Sequence, residues 1–208
     1  MPRDELARVV WQQDFPPSWE VALSALISRL QRILSSGPLE GRGLFLSRTL
    51  GQYQLNLPRD AWIDLEAGFS AIDRAESAIR TADLGGVLEP ATVAATIARR
   101  SFLPGVKGEW VDSQNRRLQR QLVRALDCLC HMRLSSGEPA LAVETAIEAV
   151  DLDPFREHSY QLLMQAYATD GNKAKALDVY HDLRKLLGRD LGTEPSAEIQ
   201  ALYLQLLD

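Results

Sequence analysis

The sequence predicts a mainly α-helical protein, in which a stack of helical hairpins follows a shorter segment that carries a β-hairpin. Two observations predict this: a 34-residue repeat near the C-terminal end, and a run of strand-like alternation between residues 44 and 57. The repeat matches four positions with four others: Leu129, Gly137, Ala140 and Ala142 with Leu163, Gly171, Ala174 and Ala176. This is the period of a tetratricopeptide repeat, a helix–turn–helix unit that stacks on its neighbours and grasps partners more often than it catalyses reactions.

Apolar residues recur at spacings of three and four over most of the chain after residue 64, as on the buried face of a helix. Gly137 and Gly171 each end a predicted helix, and Gly188 and Gly192 end the last helix of the repeat. Asp153-Pro154 opens the helix that ends at Gly171. An earlier hairpin lacks the repeat identities and is predicted as a degenerate first unit. The predicted helices span 65–80, 91–100, 110–134, 138–150, 153–170, 173–187 and 196–207.

The first 58 residues have a different pattern. A short helix from Arg3 to Trp11 precedes a second helix, capped by Ser18 and running to about Leu34. After a break at Gly37-Pro38, alternating residues on either side of Gly51 predict a β-hairpin. Two helices and a hairpin form the C-terminal part of a winged helix, whose second helix enters the DNA major groove. We therefore predict domains at residues 1–58 and 59–208.

Charge separates the same two regions. The whole chain has a formal net charge of −5, which argues against non-specific coating of nucleic acid. Residues 1–58 hold six arginines against five acidic residues, whereas residues 59–208 hold 17 basic against 23 acidic residues. The first region is thus the part of the chain that is electrostatically compatible with DNA.

Several classes of function find no support in the sequence. No apolar run is long enough to cross a membrane, and no secretory signal is readable. Cys128 and Cys130 point to different faces of a helix, which indicates reduced thiols and a cytoplasmic location. The three histidines have no ligand partners at useful spacing, and no phosphate loop, nucleophile elbow or zinc helix is present. We expect no cofactor, no metal and no enzymatic activity.

Several separated motifs in the second region resemble one known module. They are the tail from Asp190 to Ser196 (DLGTEPS), the loop Phe102-Leu103-Pro104-Gly105, and the segment that follows it, with Glu109-Trp110 and Arg116-Arg117-Leu118. In this order they are similar to the bacterial transcriptional activator domain of the Streptomyces antibiotic regulatory protein (SARP) family. The resemblance covers essentially residues 58–208.

The first region resembles the OmpR-type winged helix that the SARP family carries ahead of this module. Residues 25–32 (ALISRLQR) look like its recognition helix, and residues 50–53 (LGQY) like its wing. Gln31 and Gln52 stand where the family usually has a basic residue or a glycine. The family also has strands and a first helix before these residues, and they pack under the recognition helix; the 208 residues do not include them.

Four residues are predicted to contact DNA: Ser28, Arg29, Arg32 and Arg48. Arg29 and Arg32 lie one turn apart and share with Ser28 the outward face of their helix. The inward face is predicted to carry the apolar residues Leu23, Leu26, Ile27, Leu30 and Leu34. Two such arginines are also common on a solvated face, but the hairpin behind them and the family resemblance favour bases or phosphates as their partners. Arg48, near the hairpin turn, is predicted to contact the DNA backbone.

A second group of arginines forms a stripe along the long helix: Arg116, Arg117, Arg120 and Arg124. The stripe is either a solvated face balanced by nearby acidic residues or a contact for an acidic partner or flanking DNA. The first alternative is the more common one for such a stripe.

Two functional hypotheses remain. In the first, the resemblance implies a SARP-type activator that binds promoter DNA as a homodimer and recruits RNA polymerase through its helical module. In the second, the chain is a truncated or divergent member whose tetratricopeptide-like module serves as a protein-binding scaffold without DNA affinity. In-frame codons for further strands and a helix upstream of Met1 would favour the first hypothesis, and an immediate stop codon would favour the second.

Overall fold

A computed structural model describes residues 1–36 and 41–207, so the predicted break at Gly37-Pro38 lies outside the described residues. The described part contains nine α-helices and one two-stranded sheet, which confirms the mainly helical fold class. In chain order the elements are α1 (Arg3–Trp11), α2 (Trp19–Leu34), β1 (Phe45–Thr49), β2 (Gln52–Asn56), α3 (Asp64–Arg80), α4 (Leu88–Ala98), α5 (Glu109–Ser135), α6 (Pro139–Leu152), α7 (Glu157–Thr169), α8 (Lys173–Asp190) and α9 (Ala197–Leu207).

The chain divides into two compact units. The N-terminal unit consists of Met1–Ile63 and Phe102–Gln114, and the helical unit consists of Asp64–Ser101 and Asn115–Asp208. The N-terminal unit contains α1, α2 and the hairpin; the helical unit contains α3, α4, most of α5, and α6 to α9.

The 34-residue repeat appears in the helical unit as repeated geometry. Gly137 and Gly171 have φ angles of 74° and 80°, a left-handed conformation that glycine adopts without a Cβ clash. The amide of Glu138 donates to the carbonyl oxygen of Arg133 at 2.9 Å, and 34 residues later the amide of Asn172 donates to that of Tyr167 at 2.8 Å. The sequence identity therefore corresponds to the same helix ending at equivalent positions.

Small residues on these helices allow the hairpins to pack closely. One cluster joins α5, α6 and α7, with Cys130, Ala142, Ala146, Leu162, Leu163 and Ala166 buried. A second joins α7, α8 and α9 through Tyr160, Met164, Ala176, Tyr180, Leu183, Leu187 and Ile199. The two clusters share partly buried neighbours such as Val150 and Tyr167, so burial continues from one hairpin to the next.

Some predicted helix boundaries, and one predicted cap, differ from the structure. α8 continues through Gly188 to Asp190, because one glycine costs a helix only about 1 kcal/mol while Leu187 beside it is buried. Asp153-Pro154 forms the turn after α6, and α7 begins later, at Glu157. Ser18 precedes α2 as predicted, but its side chain makes no capping hydrogen bond.

The hairpin of the N-terminal unit is antiparallel, with a register from Phe45 opposite Asn56 to Thr49 opposite Gln52. Gly51 lies in the turn, as predicted. On the outer edge of β2, the amide of Tyr53 donates to the carbonyl oxygen of Met1 and the α-amino group of Met1 donates to that of Tyr53, each at 2.8 Å. Met1 and Pro2 thus pair with β2 through an isolated antiparallel bridge, directly before α1 begins.

Candidate nucleic-acid interface

The outward face of α2 carries three of the predicted DNA-binding residues. Ser28, Arg29 and Arg32 are all exposed to solvent. Neither guanidinium forms an ion pair with any residue that the structure describes. An exposed guanidinium without a carboxylate partner keeps its donors available for phosphate or base acceptors.

A side-chain contact holds this helix against α1. The Nη2 atom of Arg3 donates at 2.8 Å both to the carbonyl oxygen of Glu20 and to the hydroxyl of Ser24. The rings of Phe15 and Trp19 meet edge to face before the first turn of α2, with centroids 5.8 Å apart. These contacts fix the direction in which α2 leaves the preceding loop. Arg3 was missed by sequence analysis, because an arginine near a chain start carries no periodic signal.

The two faces of the β-hairpin differ in chemistry. Opposite residues of an antiparallel pair share a face, so Ser47 with Gln54 and Thr49 with Gln52 place hydroxyls and amides on one face near the turn, and Phe45 with Asn56 continues that face at the open end. Leu46 with Leu55 and Arg48 with Tyr53 form the other. The segment 41–59 contains three arginines and no aspartate or glutamate. Within residues 45–56 the one charged residue is Arg48, so the hairpin carries a single positive charge and an uncharged face that is polar near the turn.

Arg48, predicted to contact the DNA backbone, lies on the face opposite the hydroxyls and amides. Its guanidinium carbon is 5.6 Å from the centre of the Tyr53 ring, and its side chain is exposed. Such a contact between a cation and a ring orients the guanidinium without using its hydrogen-bond donors. Arg48 therefore remains able to bind a phosphate.

An open apolar groove of about 370 Å³ runs between α1, α2 and the hairpin. Of the five residues predicted on the inward face of α2, only Leu23 and Leu34 are buried, whereas Leu26 and Leu30 remain 44% and 43% exposed. Leu26 and Leu30 do face the groove, on the inward side as predicted, but they stay partly exposed because no element of the described chain covers them. The groove is lined by Met1, Leu6, Val10, Leu23, Leu26, Ile27, Leu30, Leu46, Tyr53 and Leu55.

The arginine stripe on α5 does not form one continuous surface. Arg124 donates to both carboxylate oxygens of Glu76, at 2.7 and 2.8 Å, and also contacts Asp73 at 3.1 Å. The hydrogen bond from Arg124 lowers the pKa of the Glu76 carboxyl. Arg117 places its guanidinium 3.8 Å from the centre of the Phe69 ring.

The two other members of the stripe, Arg116 and Arg120, are exposed and line a shallow pocket of about 210 Å³. Gln119 and Leu152 also line this pocket, and the Nε2 atom of Gln119 donates to the carbonyl oxygen of Leu152 at 2.7 Å. The stripe thus combines both alternatives: Arg124 is balanced by acidic residues, whereas Arg116 and Arg120 form no ion pair within the described ranges.

The two cysteines lie in the core of the helical unit. Cys128 and Cys130 are free and buried, and burial raises the pKa of each thiol to about 12. Within residues 1–36 and 41–207, no group of three His, Cys, Asp or Glu side chains is placed to hold a metal ion. No helix in these ranges combines the length and apolarity needed to cross a bilayer.

A protein-family model for the bacterial transcriptional activator domain matches residues 63–207. The chain belongs to the bacterial transcriptional activator domain family. This match covers the helical unit and confirms the resemblance inferred from the tail, the loop and the repeat.

Curated relatives of this family member align along nearly its whole length. Regulatory protein AfsR of Streptomyces coelicolor is 29% identical over 203 residues, which are 98% of this chain and 20% of AfsR. Transcriptional regulatory protein MoaR1 of Mycobacterium tuberculosis is 25% identical over 209 residues, which are 98% of this chain and 66% of MoaR1. The chain therefore spans about a fifth of the length of AfsR and about two thirds of that of MoaR1.

Two solved structures share the fold. Mycobacterium tuberculosis EmbR, solved with a low-affinity phosphopeptide, matches all of this chain and 54% of its own with a TM-score of 0.87 at 19% identity. The C-terminal domain of a Plasmodium falciparum FK506-binding protein, which contains tetratricopeptide repeats, matches 70% of this chain with a TM-score of 0.53 at 10% identity. The second match confirms the tetratricopeptide-like architecture.

Proposed function

We propose that this chain is a DNA-binding transcription activator of the SARP type. The observation that carries the proposal is the pair of exposed, unpaired arginines Arg29 and Arg32 on α2, in a unit whose hairpin has no acidic residue. The family match and the regulatory names of the relatives support the same function. Residues 1–58 are the proposed DNA-binding domain, and residues 59–208 are the proposed activator domain.

Binding would begin with phosphate neutralisation, which supplies most of the affinity and makes it depend on salt. Ser28, Arg29 and Arg32 would then contact base edges or phosphates in the major groove, because a guanidinium can bond two acceptors of guanine at once. Arg48 would hold the backbone beside the hairpin. Activation would follow when the DNA-bound protein recruits RNA polymerase.

The first test is duplex selection from a random library with the 208-residue chain, followed by titration at several salt concentrations. Changing Arg29 and Arg32 together to Ala should weaken binding to the selected duplex about a hundredfold, since each good arginine contact contributes about tenfold. It should also reduce the slope of log K against log salt by about one for each lost phosphate contact.

A matched control removes the same charge from the helical unit. Arg74 and Arg80 are exposed residues of α3, and changing both to Ala should leave affinity within about twofold. If the two double variants weaken binding equally, the effect is one of net charge, and Arg29 and Arg32 are not the site.

The proposed contact with RNA polymerase lies on a separate surface, in the helical unit. Arg116 and Arg120 are the members of the α5 stripe that neither form an ion pair nor stack on a ring in the described ranges, so they are the proposed contacts with an acidic surface of the polymerase. Changing both to Glu should abolish co-purification with RNA polymerase while DNA affinity stays within about threefold. Sedimentation of the protein with the selected duplex would show whether two copies bind one site.

The second candidate function, a protein-binding scaffold without DNA affinity, is favoured by the open apolar groove of the N-terminal unit. If the 208-residue chain selects no duplex but still co-purifies with RNA polymerase, the scaffold is the correct function. The same selection with the upstream in-frame codons included separates a shortened chain from one that has lost DNA binding.

A further inference from the structure

The turn of the hairpin has an unusual residue in a strained position. Two residues, Leu50 and Gly51, join β1 to β2, with φ angles of 52° and 77°. Positive φ at both positions is the pattern of a type I′ turn, in which asparagine followed by glycine is preferred. The side chain of Leu50 offers no local hydrogen bond to offset the crowding of its Cβ in this conformation. Folding alone therefore gives no reason for leucine at position 50.

Leu50 is also the most exposed large apolar side chain in the described part of the chain. It is 98% accessible, compared with 71% for Val21 and for Trp62. A strained conformation together with complete exposure of an apolar side chain is more typical of a contact site than of a structural position.

The surroundings of the tip indicate what it contacts. The adjacent cross-strand pair Thr49 and Gln52 supplies a hydroxyl and an amide on one face, and Ser47 with Gln54 continues that face. Side-chain amides and hydroxyls bond the acceptors that line the DNA minor groove and its phosphates. Arg48 supplies a positive charge near the tip and residues 41–59 contain no carboxylate, so the local charge favours a polyanion.

We propose that Leu50 enters the DNA minor groove as an apolar wedge, partly unstacks one base step and kinks the duplex, while Thr49 and Gln52 bond the groove beside it. The proposal rests on the proposed function, because it requires that the chain bind DNA. Apolar side chains inserted in this way kink DNA by roughly 20–90°, and their energetic cost is smallest at flexible pyrimidine–purine steps. We therefore expect selected duplexes to share such a step at a fixed distance from the major-groove site.

The decisive variant is Leu50→Asn, which removes the wedge and creates the asparagine–glycine sequence that this turn prefers. The probe is a duplex selected by the wild-type chain, carrying a fluorophore at each end and 2-aminopurine at the step next to the tip. Wild-type protein should shorten the end-to-end distance and raise the 2-aminopurine fluorescence severalfold. The variant should still bind, with a Kd about tenfold higher, but should neither bend nor unstack the probe.

Two further variants separate the wedge from general effects. Leu50→Met keeps an apolar side chain of similar volume and should retain most of the bend. Leu204→Asn removes an apolar side chain of α9 that is 61% exposed in the helical unit, and it should change neither readout. The melting temperature of Leu50→Asn should equal or exceed that of the wild type, so loss of bending cannot come from unfolding.

The outcomes distinguish this inference from the proposed function. If the wild-type chain selects no duplex at all, DNA binding and the wedge are both overturned. If Leu50→Asn bends and unstacks the probe as the wild type does, only the wedge is overturned. If it bends DNA normally but loses RNA polymerase, the tip is a protein contact and the inference is wrong.

Discussion

The helical unit and the N-terminal unit bury their apolar residues to very different extents. In the helical unit, clusters that include Met164, Leu183 and Cys130 are almost wholly inaccessible to solvent. In the described part of the N-terminal unit, the buried apolar side chains are limited to Ala7, Leu23, Leu34, Tyr53 and Val111. The apolar groove accounts for much of the difference, because it leaves one side of α2 uncovered.

This difference reflects how each unit is built. A helical hairpin repeat covers its neighbour, so each added hairpin completes the burial of the one before it. Two helices and a two-stranded hairpin cannot enclose a core, and a two-stranded sheet is only marginally stable unless another layer covers it. We therefore expect substitutions in the helical unit to affect stability strongly and those around the groove to affect it weakly.

The largest effect is expected at Asp127, whose side chain is only 6% exposed. Its two carboxylate oxygens accept hydrogen bonds from Arg156 at 2.7 Å and Ser159 at 2.8 Å, which joins α5 to the start of α7. Asp127→Ala leaves these groups without their acceptor and should lower the free energy of unfolding by about 3–5 kcal/mol. Urea unfolding measures this change in the free energy of unfolding, and Asp182→Ala is the control. Asp182 is exposed and forms a surface ion pair with Lys185, so its loss should cost less than about 1 kcal/mol.

A pair of leucine-to-alanine variants compares the two units directly. Leu183 is completely buried in the helical unit. Leu183→Ala should lower the free energy of unfolding by about 3 kcal/mol, because it removes buried apolar surface and leaves a cavity. Leu30, beside the groove, already exposes 43% of its surface, so Leu30→Ala should cost about 1 kcal/mol or less. Thermal and urea unfolding followed by circular dichroism measure both. Equal costs would mean that the groove is closed in solution.

Gln121 is a buried polar residue of the helical unit whose side chain lacks hydrogen-bond partners in the described part of the chain. Its side chain is 2% exposed, and neither its Oε1 nor its Nε2 atom has a hydrogen-bond partner among the described residues. Gln121→Leu has a similar volume and removes two unsatisfied groups, so it should raise the free energy of unfolding by about 1–2 kcal/mol. Gln119→Leu is the contrasting variant: Gln119 is exposed and bonds Leu152, so its loss should not stabilise the protein.

The smallest expected effect is at Glu76, which Arg124 holds in a charged state. The pKa of Glu76 is lowered in the folded protein, so the ion pair stabilises the fold above the ordinary carboxyl pKa. That contribution is lost as the pH falls through the lowered value. Glu76→Gln should cost about 1 kcal/mol at pH 7, and the difference from the wild type should vanish in acid. Glu66→Gln, an exposed change on the same helix, should show no such pH dependence.

Local features of this fold were predictable from the sequence. α1 has the predicted bounds, and the β-hairpin turns at Gly51 as expected, because residue alternation and glycine act over a few positions. At Gly188 the predicted helix end was wrong, because burial of the neighbouring Leu187 outweighs the cost of one glycine. The candidate DNA-contacting residues on α2 were predictable for the same reason, since helical periodicity places them on one face.

The sequence by itself determined the repeat, its glycine helix ends and the membership of the activator-domain family. Only the tertiary structure decided which arginines are free: Arg124 is paired with Glu76, 48 positions away, whereas Arg29 and Arg32 have no such partner in the described ranges. It also decided that Leu26 and Leu30 stay exposed and that Leu50 stands alone at the hairpin tip. Periodicity shows which side of an element is apolar, but burial and ion pairing depend on what packs there, and that is a property of distant residues.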